Sequence, residues 1–132
     1  MFRVTDLKIV SIATPHLDDA VATFRKNFGF PIQRAGVEAH DPKTRSVLLG
    51  VGPAEIEMAT PSAEGSPLSS FLAERGAGLY QLVLEVEDLE AAHAALSERG
   101  VEVTLKPGVD GKPAGQLNPT QTHGVRITLV GR

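Results

Sequence analysis

Two stretches of the 132-residue chain repeat one pattern: residues 9–32 read IVSIATPHLDDAVATFRKNFGFPI, and residues 80–103 read YQLVLEVEDLEAAHAALSERGVEV. Leu17 aligns with Leu89 and Ala20 with Ala92, so the copies lie about 72 residues apart. That period is more than half the chain, which is too long for the repeat unit of a solenoid. It indicates a duplicated half-domain.

Each copy predicts a strand followed by a helix. Two sets of residues alternate in each copy: Val10 and Ile12 with Ile9, Ser11 and Ala13, and Leu82, Leu84 and Val86 with Gln81, Val83 and Glu85. Alternation with a period of two is typical of a strand. Apolar residues at helical spacing follow, at Leu17, Ala20, Val21, Phe24 and Phe28 in the first copy and at Leu89, Ala92 and Leu96 in the second. Asp88 is a good N-cap and His16 a weak one, and Gly29 and Gly100 suit left-handed C-caps.

Short strands complete each half, so that both halves read β-α-β-β-β. The predicted strands cover residues 32–37, 45–49, 54–60, 101–105, 125–130 and, from a weaker pattern, 115–118, with a loop over 40–43. The fold class is therefore α+β. We expect a single domain over 1–132, with a first module at about 1–62, a linker helix at about 66–76 and a second module at about 77–132.

Composition excludes several classes of protein. The net charge of −3 and the six aromatic residues disfavour nucleic acid as a partner, because phosphate binding needs a basic face. The chain has no cysteine, which excludes disulfides and thiolate zinc sites. No apolar run approaches a membrane span, and Asp6 in the first ten residues is unlike a signal peptide. We expect a soluble cytoplasmic protein with no membrane partner.

Three segments resemble the vicinal-oxygen-chelate superfamily, whose members include glyoxalase I, extradiol dioxygenases and antibiotic-binding resistance proteins. They are PHLDDAVATFRKNFGF (15–30), SPLSSFLAERGAGLYQLVLEVEDLEAA (66–92) and THGVRITLV (122–130). Their arrangement is most similar to the methylmalonyl-CoA epimerases. The resemblance implies two paired β-α-β-β-β modules whose eight strands form a curled mixed sheet around a cup. It also implies four ligands, from the first and last strand of each module, that hold a divalent metal at the floor of the cup.

Carried over residue by residue, these ligand positions fall on Ile9, Glu57, Gln81 and Thr128. Isoleucine has no donor atom and the threonine hydroxyl is a weak ligand, whereas hard divalent cations need several carboxylate or imidazole donors. We therefore expect no metal and no other cofactor.

Alternation predicts which side chains line the cup. They are Ile9, Ser11, Ala13, Glu55, Glu57, Ala59, Gln81, Val83, Glu85, Arg126, Thr128 and Val130. The other faces of these strands are apolar and should pack under the helices, with Val10, Ile12, Ile56, Met58, Leu82, Leu84, Val86, Val125, Ile127 and Leu129. The mixed face suits a pocket for a partly polar small molecule, or else the solvated side of an ordinary sheet.

Two residues are candidate catalytic groups. Without a cation beside it, Glu57 would have its pKa raised by desolvation and would suit a general base or proton donor; alternatively it pairs with Arg126 or faces water. His123, before the last strand, suits a rim contact or proton shuttle. The candidate substrate-binding residues are Ser11, Gln81, Glu85, Asn118, Arg126 and Thr128. The resemblance also implies that one of Glu38, His40 and Asp41 approaches the cup, and it does not select among them.

Three functions remain open. The first is an isomerase, epimerase or lyase that acts on an activated carbonyl or acyl thioester without a metal or with an altered site. The second is a protein that binds or sequesters a small molecule without turnover, like the resistance proteins. The third is a degenerate domain that serves assembly. The resemblance implies a homodimer in each case.

Overall fold

The structure is a computed structural model that describes residues 2–38, 41–108 and 111–132. The elements in chain order are β1 (Val4–Ala13), α1 (Leu17–Phe28), β2 (Ile32–Glu38), β3 (Asp41–Val51), β4 (Ala54–Pro61), α2 (Pro67–Arg75), β5 (Gly78–Val86), α3 (Leu89–Glu98), β6 (Val103–Pro107), β7 (Pro113–Leu117) and β8 (Arg126–Gly131). The strands form one mixed sheet in the order β2-β3-β4-β1-β5-β8-β7-β6. This confirms the predicted α+β class. None of the described helices has the length and apolarity to cross a bilayer.

The chain divides into two compact units, one formed by residues 9–80 and the other by the first eight residues with 81–132. In each unit the first and last strand of a module are parallel neighbours. Ser11 lies opposite Glu57 between β1 and β4, and Val83 lies opposite Thr128 between β5 and β8. The strand pairs β2/β3, β3/β4, β6/β7 and β7/β8 are antiparallel. The sequence repeat is therefore a repeat of the same strand pairing.

In the unit of residues 9–80, α1 packs on β3 and β4. Its buried residues Leu17 and Val21 contact Leu49 and Met58. His16 makes no side-chain cap, as its weak capping tendency predicts, and acidic residues occupy the first turn instead. The helix ends at Gly29, whose φ of 71° is left-handed, so the predicted C-cap is confirmed.

A second cluster in this unit corrects the predicted surroundings of two small residues. Ala13 and Ala59 were expected to line the cup, but both are buried against Leu68 of α2. Phe71 and Tyr80 extend this cluster, with their rings edge to face at 5.0 Å. The alternation of the strands is preserved; the linker helix covers the end of the face where the side chains are small enough to allow close approach.

In the other unit, α3 packs on β6, β7 and β8 and on Val86 at the end of β5. Leu89 and Ala92 are buried together with Val86, Leu117 and Leu129. The side chain of Asp88 accepts from the N–H of Ala91 at 3.1 Å and confirms the predicted N-cap. Val125 was predicted to share the apolar face, but it precedes β8 and is 42% exposed.

Several strand boundaries differ from the prediction. β3 begins at Asp41, so strand replaces most of the predicted loop over 40–43, while β6 starts two residues later and β7 two residues earlier than expected. The cause is pairing: β2 and β3 remain hydrogen-bonded as far as Glu38 opposite Asp41, beyond the polar and proline residues that suggested a loop. His40 lies outside the described residues, as do the side chains of Glu38 and Asp41.

Candidate functional site

A buried carboxylate and hydroxyl pair lies at the parallel junction of β1 and β4. The Ser11 hydroxyl donates to Oε1 of Glu57 at 2.6 Å. Ser11 is 0% exposed and Glu57 is 7% exposed. The strand register places the two residues directly opposite one another, with side chains on the same face. Removing a carboxyl group from water is costly unless donors replace the lost hydration, and this short hydrogen bond supplies one.

Glu55 provides a contrast on the same strand and face. Its Oε1 accepts from a guanidinium nitrogen of Arg34 at 2.8 Å, in a salt bridge near the surface. The glutamates of β4 are therefore two residues apart in different surroundings: Glu55 forms a salt bridge near the surface, and Glu57 is buried and accepts a hydrogen bond from Ser11.

In the other unit, Thr128 and Gln81 form the core of a polar network. The Thr128 hydroxyl contacts the side-chain oxygen of Gln81 at 2.7 Å and that of Gln116 at 3.2 Å. Gln116 in turn accepts from Nζ of Lys106 at 3.1 Å, and its amide nitrogen donates to the carbonyl of Ile127 at 3.3 Å. Gln81 and Thr128 were predicted site residues, and the structure brings them together.

Glu85 is held by groups of its own unit. Its carboxylate accepts from Thr5 Oγ1 at 3.1 Å and Lys8 Nζ at 3.0 Å, and Arg132 Nε lies 3.9 Å away. The hydrogen bond from Lys8, more than any other contact, lowers the pKa of Glu85 below its usual 4.5. In the structure this carboxylate connects Thr5 and Lys8, in the N-terminal half of β1, and Arg132 to β5.

The other predicted site residues lie on separate elements of the same unit. The Asn118 side chain begins a short 3₁₀ turn by accepting from Thr120 N at 3.0 Å, and it donates to Glu102 at 2.8 Å. His123 is exposed in the following turn with a φ of +58°. Arg126 begins β8, partly buried and opposite Gln81 in the strand register. Their roles in binding or catalysis stay predictions.

The residues at the four implied ligand positions do not fit a divalent metal. Glu57 supplies the single carboxylate, and Ser11 already donates to one of its oxygens. Gln81 and Thr128 supply neutral oxygens that are hydrogen-bonded to each other, and Ile9 supplies none. Among the residues that the structure describes, no three histidine, aspartate or glutamate side chains form a group that could hold a metal ion.

Sequence reasoning missed Gln116 and Lys106. Both lie in the second module, where the glycine- and proline-rich stretch over 106–113 weakened the strand pattern. The available signal was alternation with the buried Ala114, which places Gln116 on a definite face once β7 is recognised. It also missed Thr5 and Lys8, whose contacts with Glu85 join residues about 80 positions apart.

Comparison with known proteins identifies the family of the chain. The sequence model of the Glyoxalase/Bleomycin resistance protein/Dioxygenase superfamily matches residues 10–117, which is most of the chain. The chain belongs to this superfamily. The resemblance drawn from the three sequence segments is thereby confirmed.

Epimerases are among the most similar members of the superfamily. The chain is 33% identical to the ethylmalonyl-CoA/methylmalonyl-CoA epimerase of Cereibacter sphaeroides, over 93% of this chain and 95% of that protein. It is 30% identical to the mitochondrial methylmalonyl-CoA epimerase of Dictyostelium discoideum, over 93% of this chain and 76% of that protein.

Solved structures of epimerases share the fold. The crystal structure of methylmalonyl-CoA epimerase from Mycobacterium tuberculosis matches with a TM-score of 0.88 and 32% identity, covering 97% of this chain and 88% of that one. A methylmalonyl-CoA epimerase from Streptomyces coelicolor in complex with 2-nitronate-propionyl-CoA also matches with a TM-score of 0.88, at 25% identity, covering 98% of each chain.

Proposed function

We propose that this superfamily member is an epimerase, or a closely related isomerase, that acts at the α-carbon of an acyl-CoA thioester without a bound divalent metal. The observation that carries the proposal is the buried Ser11–Glu57 pair, in a chain that is similar to acyl-CoA epimerases over nearly its full length. A buried carboxylate that accepts a short hydrogen bond suits proton transfer at carbon.

In the proposed reaction, Glu57 acts as the general base. It takes the proton from the α-carbon, and the electron pair of the broken C–H bond moves into the thioester carbonyl to form an enolate. Delivery of a proton to the opposite face of the α-carbon then gives the inverted product. We assign this delivery to His123, the histidine predicted for a proton shuttle. Ser11 positions the carboxylate through its 2.6 Å hydrogen bond.

The enolate must be stabilised by groups of the chain itself, because the residues at the implied metal positions do not fit a cation. Losing a Lewis acid removes several kcal/mol of transition-state stabilisation, which hydrogen-bond donors must replace. We assign this role to the side-chain amide N–H groups of Gln81. Thr128 donates to the side-chain oxygen of Gln81 at 2.7 Å, which fixes the carboxamide before any substrate binds, and preorganised donors require no rearrangement during the reaction.

The test is solvent exchange at the α-carbon. Purified protein treated with a chelator is incubated with methylmalonyl-CoA in deuterated water, and deuterium at the α-carbon is followed by mass spectrometry. Glu57→Gln should slow the exchange by at least about 100-fold, since a general base contributes about 10² to 10⁴. Glu55→Gln is the matched control and should exchange at the wild-type rate, because this glutamate is already paired with Arg34.

The outcomes separate the competing functions. Absence of exchange in the wild type overturns the epimerase proposal, and thermal stabilisation by unaltered substrate without exchange would favour a binding protein instead. Exchange that appears only after a divalent ion is added overturns the proposal that the reaction needs no bound divalent metal. His123→Gln should retain exchange but lose inversion, which is read from the ratio of the two epimers, and unchanged inversion would remove His123 from the mechanism.

A further inference from the structure

Lys106 places a cation in the polar network of β5, β7 and β8. Its ammonium nitrogen donates to the side-chain oxygen of Gln116 at 3.1 Å. The amide nitrogen of Gln116 donates at 3.3 Å to the carbonyl of Ile127, on β8. This second bond fixes which end of the carboxamide faces Lys106. Lys106 and Gln116 are both partly buried, so their interactions are less screened by water than those of a surface pair.

The same oxygen of Gln116 is shared with Thr128. Lys106 Nζ and Thr128 Oγ1 both lie within 3.2 Å of it. Thr128 is also in contact with Gln81 at 2.7 Å. One positively charged group is therefore linked, through the carboxamide of Gln116 and the hydroxyl of Thr128, to Gln81, to which the proposed function assigns stabilisation of the enolate.

We infer that Lys106 is a positioning residue that supplies, through Gln116 and Thr128, the positive charge that stabilises the anionic enolate. The inference rests on the proposed function and extends it to a group that sequence reasoning did not identify. The ammonium places a positive charge beside the side-chain oxygen of Gln116, next to Thr128 and Gln81, and makes these surroundings more favourable to negative charge.

The charge of the reacting group provides the test. 2-Nitronate-propionyl-CoA carries a negative charge next to the thioester, as an enolate does, whereas propionyl-CoA carries none there. The dissociation constants of both compounds are measured by calorimetry with chelator-treated protein. Lys106→Met keeps most of the side-chain length and removes the charge. It should weaken nitronate binding by about tenfold or more and change propionyl-CoA binding by less than about threefold, since charged interactions carry the difference.

Two further variants make the result specific. Lys106→Arg retains a cation and should restore most of the nitronate affinity. Lys112→Met is the matched control, because Lys112 is an exposed lysine between β6 and β7, the strands that hold Lys106 and Gln116. This variant should change neither affinity. If Lys106→Met does not fold, as judged by circular dichroism, Gln116→Leu takes its place. That substitution removes the shared acceptor and should produce the same selective loss.

The failure of this inference can be told from the failure of the proposed function. A wild-type protein that binds neither compound overturns both. If the wild type and Lys106→Met bind the nitronate equally tightly, the role of Lys106 is overturned and the proposed function is not. An equal loss for both compounds also overturns the role of Lys106, since the cation would then contact the phosphates or the pantetheine arm that the two compounds share.

Discussion

The hydrogen bond between Ser11 and Glu57 predicts a measurable coupling between the two positions. Ser11→Ala removes a donor 2.6 Å from a carboxylate that is 7% exposed. A hydrogen bond to a charged group contributes about 1.5 to 3 kcal/mol, and the loss leaves part of the desolvation cost of the carboxylate uncompensated. We expect the free energy of unfolding to fall by about 2 kcal/mol. For a chain of this length, that corresponds to a decrease in Tm of about 7 °C.

The measurement is a double-mutant cycle by urea unfolding. In a Glu57→Met background the serine has no carboxylate to bind, so Ser11→Ala should cost at least about 1.5 kcal/mol less than in the wild type. Ser70→Ala, at an exposed serine of α2, is the control and should lie within about 0.5 kcal/mol of the wild type. A coupling energy below about 0.5 kcal/mol would refute the argument that this bond fixes the carboxylate.

Two further predictions concern groups with a defined structural role. Glu85→Gln should be less stable than the wild type at neutral pH; because the folded-state pKa lies below 4.5, the stabilisation is present above that pH and is lost as the pH falls through the folded value. Urea unfolding between pH 3 and pH 7 should therefore show that the difference in the free energy of unfolding between the two proteins shrinks as the pH falls. A difference that stays constant with pH would contradict the lowered pKa of Glu85 as its cause. Asn118→Ala should lower the free energy of unfolding by about 1 kcal/mol through loss of the turn cap. Thr120→Ala, which loses one hydroxyl contact with Asn118, should lower the free energy of unfolding by less. Equal losses for the two variants would show that the turn cap is not the source of the stabilisation by Asn118.

The repeat and its helices could be predicted from the sequence because they depend on local patterns. Leu17 and Val21 face the core at helical spacing, and Asp88 caps α3 with its own side chain. These features depend on residues that are close together in the sequence. The α+β architecture and the superfamily followed from them, while the homodimer and the cytoplasmic location stay predictions.

The polar contacts of the candidate site could be predicted only in part. Alternation placed Gln81 and Thr128 on one face, but the contact of Lys106 with Gln116 requires the register between β6 and β7, which the sequence does not specify. Ala13 and Ala59 illustrate the same limit. Their face was correct, yet nothing in the strand pattern indicates that a linker helix covers it. The register between two strands and the burial of a strand face under a helix both depend on elements that are distant in the sequence. The residue pattern of one strand therefore does not give them.

The pairing of the first strand also has a consequence for synthesis on the ribosome. Thr5 and Lys8 reach their partner Glu85 across 80 and 77 positions of the chain, and Arg3 O accepts from the N–H of Glu87. Translation adds about 5 to 20 residues per second, so the N-terminal half of β1 has to wait roughly 4 to 16 s before its partner exists. During that interval Val4 and Leu7 are apolar side chains on a strand without its native neighbour, and slower translation would prolong the period in which the nascent chain can associate with others.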